Sequence, residues 1–139
     1  MFLIGFPLLI IPFALYNMFA FIFGVTDWTA PLMSVHIISG GEWKIASGDV
    51  LIAFAVLVLF VEILKSTRIG ARSIIDHMLS MLVFLGMLVE FLLVERAATS
   101  TFFLLTLISF VDVLGGFTIT IRTAQRDIGL EGAEKIISS

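Results

Sequence analysis

Asp112 and Glu90 are the residues from which chemistry is most expected in this sequence, because each lies inside a long apolar run. An ionisable side chain in a membrane-spanning helix costs about 2.5–3.5 kcal/mol at the bilayer centre on insertion scales, so it marks a function or a buried partner. Counting about 1.5 Å per residue from the inner ends of their runs puts Asp112 near mid-membrane and Glu90 about two-thirds of the way out. Tyr16 and Asn17 of the first run reach the depth of Glu90, and Ser109 lies between the two acids, which predicts one polar layer. Such a layer has two readings. Desolvated carboxyls between helices could take and release protons or bind a cation. Alternatively, protonated carboxyls could hydrogen-bond to Tyr16, Asn17 or Ser109 and hold helices together. With no Lys or Arg expected at this depth, a charged Asp112 needs a cation or another subunit's base. Gly115 and Gly116 follow Asp112 on the same helical face, so a neighbouring helix is expected to pack closely there.

A second group, Glu62, Asp76 and His77, is expected near the inner boundary of the membrane. Glu62 can reach Lys65 three residues on, and Asp76 fits a capping box that starts at Ser73. That leaves His77 by itself, with the distant His36 the only other imidazole, so no metal site is expected. Lys65, Arg68 and Arg72, spaced three and four apart, are expected to face anionic lipid headgroups. No nucleophile elbow, phosphate-cradling glycine loop, zinc-binding His pair or haem-type His pair occurs, and there is no cysteine. Neither an enzymatic activity nor a cofactor is expected.

The elements that would position these groups follow from hydropathy. Of 139 residues, 60% are hydrophobic and 14% charged, and the mean hydropathy is +1.16, far above soluble domains. Four apolar runs predict an all-α integral membrane protein, a four-transmembrane-helix bundle with spans at about 2–24, 47–65, 74–94 and 101–122. One domain, 1–139, accounts for the chain. The first run has no basic residue before it and no small-residue cleavage site after it, so it reads as a retained span and not a signal peptide. Pro12 is expected to kink it near the middle, with Pro7 closer to its inner end. Asp49 falls in the first turn of the second span, where the helix dipole favours a negative charge.

Basic residues set the orientation. Lys65, Arg68, Arg72, Arg122, Arg126 and Lys135 lie on one side and Lys44 and Arg96 on the other, six against two, which predicts both termini in the cytoplasm. The 25–46 loop is then outside. Its stretch Met33–Ile45 alternates loosely around Ser39-Gly40-Gly41 and predicts a hairpin, with Trp28 and Trp43 as anchors in the headgroup layer. The tail, 123–139, mixes charges with Ile128, Leu130, Ile136 and Ile137 and is expected to form a short surface helix. Scattered basic residues and a net charge of −3 argue against nucleic acid as a partner.

In length and four-span layout the chain resembles the small multidrug exporters. Their motif is a glutamate in the middle of the first helix, where this chain has no acid, so no residue role carries over. The expected setting is a multi-pass protein of a bacterial inner membrane, with the lipid bilayer as solvent and a homo-oligomer or a larger membrane protein as partner. Two functions fit: a structural or accessory subunit of a membrane assembly, or a small oligomeric proton- or cation-coupled transporter or channel that uses Asp112 and Glu90.

Overall fold

A computed structural model describes residues 6–66 and 71–138. It is mostly helical, with four helices and one two-stranded sheet: α1 (Ile10–Asn17), continued by a π-helical turn (Met18–Ile22), β1 (Pro31–His36), β2 (Glu42–Ala46), α2 (Ser47–Ser66), α3 (Ala71–Leu93) and α4 (Ser100–Ser138). Three of the helices are long and apolar enough to cross a membrane, over Ser47–Lys65, Ile74–Leu93 and Ser100–Ile119. α4 lies between α2 and α3, packing on each more extensively than they pack on one another. Leu57, Phe60, Leu82, Leu92 and Leu93 point outward from the bundle, an apolar exterior that suits lipid and not water.

The first segment departs from expectation. Instead of one span over 2–24, the helix runs from Ile10 to Ile22, about 20 Å at the usual rise per residue. Residues 1–5 of that expected span lie outside the described residues. Pro7 precedes the helix and Pro12 falls in its first turn. A proline there lacks an N–H that would have no intrahelical partner anyway, so Pro12 starts the helix and does not kink its middle. At the other end, Gly24 takes a φ of 70° and lets the Val25 N–H reach back to the Phe19 carbonyl at 2.9 Å, closing the π-helical turn.

β1 and β2 pair antiparallel, with Met33 opposite Ile45, Val35 opposite Trp43 and His36 opposite Glu42. The Gly40 N–H bonds to the Ile37 carbonyl at 2.9 Å, and a φ of 94° at Gly40 turns the chain back into β2. Before the hairpin, the exposed Asp27 carboxylate accepts hydrogen bonds from the Thr29 N–H and hydroxyl, which hold its carboxyl below the ordinary range.

The two tryptophans, expected to share an interfacial role, take different ones. Trp43 is half exposed on the hairpin, whereas Trp28 is 5% exposed and belongs to the core, stacked on Tyr16 with ring centroids 4.5 Å apart. Sequence patterning does not separate them, because only tertiary packing brings the 25–30 segment onto the helix ends. Gly48 permits that approach: its N–H bonds to the Trp28 carbonyl at 3.0 Å, and a Cβ there would lie 2.9 Å from that oxygen. Around the stack lie Ala20, Leu51, Ala55, Met87, Phe102 and Leu105, so the core sits at the hairpin end of the bundle.

Helix starts carry two further findings. Asp49 occupies the first turn of α2 and accepts from the Ala46 N–H at 3.0 Å, which is the backward half of a capping box. Thr99 caps α4, its hydroxyl accepting from the Phe102 N–H at 3.1 Å. The box expected at Ser73 does not mark the start of α3, which is already helical at Ala71. The tail beyond 122 is a continuation of α4 through Ser138 and not a separate surface helix, since no proline interrupts the helical ladder.

Candidate functional site

The polar layer expected from depth resolves into two groups, one beside the core at the hairpin end and one further along the bundle. Nearer the hairpin, Glu90 on α3 lies beside Asn17, whose amide donates to the Phe13 carbonyl at 3.1 Å. Tyr16 is fully buried beside them. Its hydroxyl lies 2.8 Å from both the Arg96 carbonyl and the Thr99 hydroxyl. Donor counting assigns the roles: Tyr16 donates to Arg96, and Thr99, accepting from Phe102, donates to Tyr16. The Arg96 guanidinium donates to the Ala20 carbonyl in the π-helical turn and stands over the Phe21 ring. One oxygen of Glu90, Oε2, is buried without a hydrogen-bond partner.

The second group contains Asp112. Instead of joining Glu90, this carboxyl lies beside Ser80 of α3 and within electrostatic range of Glu62, Lys65 and Asp76. Asp112 and Ser80 are each 5% exposed, and Ser109, 1% exposed, lies one turn nearer the hairpin on α4. Lys65 is 3.2 Å from Glu62 and 4.0 Å from Asp76, with its side chain only 9% exposed. The expectation that no base reaches Asp112 is therefore corrected. A lysine stem folds back along its helix by about one turn, so counting Cα positions places its charge too far out. Lys65 is thus engaged within the protein, with Glu62 and Asp76. Arg68 lies outside the described residues, and Arg72 lies in the first turn of α3.

Backbone groups complete this second cluster. The Leu8 N–H donates to Glu62, and Lys65 donates to the Phe6 carbonyl. These atoms belong to the stretch before α1, where the chain has no helical ladder of its own to satisfy them. Glu62 thus caps the entry to α1 while paired to Lys65. Asp76 contributes a buried oxygen, Oδ1, that makes no hydrogen bond. Three carboxyls thus gather, among the described residues, around one ammonium. Among the described residues, no three His, Asp or Glu side chains stand close enough to hold a metal ion.

The adjacent glycines that follow Asp112 on α4 differ. Gly116 faces the His77 ring, which occupies the volume a Cβ would need, and the ring also stacks on Phe117 at 5.6 Å. Gly115 has nothing within reach of a Cβ. Gly116→Ala is expected to lower stability by about 1–3 kcal/mol through overpacking. Gly115→Ala in the same assay should be neutral or slightly stabilising. Melting curves of both variants in membrane discs would check this, and adding His77→Ala should recover most of the Gly116→Ala loss.

Sequence reasoning missed the joining of Glu62, Lys65, Asp76 and Ser80 to Asp112, although two signals were present. Glu62 and Lys65 are three apart on α2, and Asp76 and Ser80 are four apart on α3, so each pair shares a helix face. Which faces meet α4 was not readable. No protein-family model matches the chain, and no curated protein or solved structure is detectably similar to it.

Proposed function

We propose that this chain is a multi-pass protein of a bacterial inner membrane that binds and moves protons or cations, with Asp112 as the working group. The observation that carries the reading is the excess of carboxyls around Lys65: among the described residues, Lys65 pairs with Glu62 and Asp76 and is the one base within electrostatic range of Asp112. An interior with two carboxylates in excess is costly unless protons or a cation make up the difference, and exchange of that counter-charge is the elementary step of ion coupling. Glu62 and Lys65 are also held by backbone, which leaves Asp112 and Asp76 as the exchangeable pair. The hydroxyls of Ser109 and Thr106 continue the buried polar face of α4 from Asp112 toward the hairpin end.

Four membrane-crossing segments and cytoplasmic termini belong to this proposal. The first segment supports a four-span arrangement despite its short helix: its start is bonded to Glu62 and Lys65 near one end of α2, and its Tyr16 stacks on Trp28, which is bonded to Gly48 at the other. The six-to-two distribution of basic residues supports the orientation.

A non-enzymatic accessory subunit is the second reading, and the bonds from Glu62 and Lys65 to the Phe6–Leu8 backbone favour it, since they give the cluster a purely architectural use. Asp112→Asn separates the two. In proteoliposomes under a pH or cation gradient, ion coupling predicts that flux is lost while the protein still accumulates. If Asp112→Asn is inserted normally and conducts like the wild type, ion coupling through Asp112 is wrong. The accessory reading then predicts that Asp112→Leu fails to accumulate and that a larger protein copurifies in native membrane discs.

A further inference from the structure

The hairpin end of the bundle carries a cavity of about 630 Å³ that neither polar cluster uses. It opens between the hairpin and the first turns of α2 and α4, where the long apolar stretches of both helices begin. Its rim is polar and of mixed charge. Lys44 on β2 makes no ion pair among the described residues, Asp49 stands in the first turn of α2, and the exposed Ser100 begins α4. Trp43 adds an aromatic face to the rim, and Ile52 and Leu104 form an apolar floor one turn further along α2 and α4.

We infer that this cavity binds the headgroup of a zwitterionic phospholipid, one carrying a phosphate and an ammonium. The inference rests on α2 and α4 crossing the membrane, and is independent of ion movement at Asp112. Three features argue for this occupant. Lys44 and the Ser100 hydroxyl can meet a phosphate, while Asp49 and the Trp43 face can meet an ammonium, so the two charges of the ligand have separate partners. The site lies where hydrocarbon begins, so a headgroup seated at the rim directs its acyl chains over Ile52 and Leu104. Finally, an uncharged or purely anionic headgroup would leave Asp49 facing the ligand without a cation. The carboxylate of Asp49 also accepts from the Ala46 N–H through Oδ2, leaving its other oxygen for the ligand.

The test is lipid retention. The protein is reconstituted in discs containing equal amounts of phosphatidylethanolamine, phosphatidylcholine and phosphatidylglycerol, released into mild detergent, and weighed intact with its bound lipid. Ethanolamine or choline lipid should be retained over the glycerol lipid. Lys44→Met and Asp49→Asn should each lower that retention about fivefold, the scale of one charged group near a headgroup. Asn keeps an oxygen for the Ala46 N–H, so the start of α2 is preserved. Retention of phosphatidylglycerol equal to that of the zwitterionic lipids would overturn the inference, as would unchanged retention in the Lys44→Met/Asp49→Asn double variant. Soluble phosphoethanolamine should not displace the lipid, because it lacks the chains that lie over the floor; displacement would show a small-molecule site instead. Proton or cation flux should be unaffected in these variants.

Discussion

Lys65→Met should destabilise the protein by about 3–5 kcal/mol, the cost of leaving buried charge without its partner. The lysine side chain is 9% exposed and is the single base within reach of Glu62, Asp76 and Asp112 among the described residues. Methionine matches the stem in volume but supplies neither the charge nor the hydrogen bond to the Phe6 carbonyl. Three carboxyls would then face one another, and the entry to α1 would lose one of its two anchors. Glu62→Gln/Lys65→Met removes both members of the closest pair and should be less harmful than Lys65→Met alone. Thermal melting in membrane discs, with Lys44→Met as the exposed control, measures this. A Lys65→Met midpoint no lower than that of Lys44→Met would show that the buried lysine does not hold the cluster together. That result would also remove the charge excess on which the ion-coupling proposal stands.

Tyr16→Ala should cost a similar amount, about 3–5 kcal/mol, for a different reason. Tyr16 is fully buried, stacks on Trp28 at 4.5 Å and meets Phe102 edge-on at 4.8 Å, so truncation opens a cavity where α1, α4 and the 25–30 segment converge. Tyr16→Phe keeps the ring but leaves the Arg96 carbonyl without its donor, for an expected loss of about 1–3 kcal/mol. Tryptophan emission reports the event locally in a Trp43→Phe background, where Trp28 is the one remaining indole. Tyr16→Ala should shift that emission to the red as water reaches Trp28, and Tyr16→Phe should leave it nearly unchanged. Equal melting points for Tyr16→Phe and Tyr16→Ala would mean that the hydroxyl network, and not the aromatic packing, holds this end of the bundle.

Three long apolar helices, the hairpin centred on Gly40 and the start of α2 at Asp49 were legible in the sequence, because each depends on local terms. Hydropathy over about 20 residues identifies a segment that lipid will accept, a glycine in a turn relieves a positive φ, and an acid in a first turn meets backbone N–H groups. The nearness of Glu90 to Asn17 was expected from depths counted at about 1.5 Å per residue from the inner ends of their runs.

Tertiary structure alone decided the rest. Whether Asp112 pairs with Glu90 or with Glu62, Lys65 and Asp76 depends on which faces of α2 and α3 turn toward α4, and weakly amphipathic helices leave that rotation unspecified by pattern. Trp28 became core and Trp43 stayed at the surface because Gly48 lets one loop approach while the hairpin carries the other residue outward. The first helix begins at Ile10 because Glu62 and Lys65, more than fifty residues away in sequence, satisfy the backbone that precedes it. Burial inside a membrane protein is a contest between lipid and protein for apolar faces of equal hydrophobicity. Sequence therefore determined which segments are long and apolar enough to enter a bilayer, and packing around a few polar groups determined how they meet.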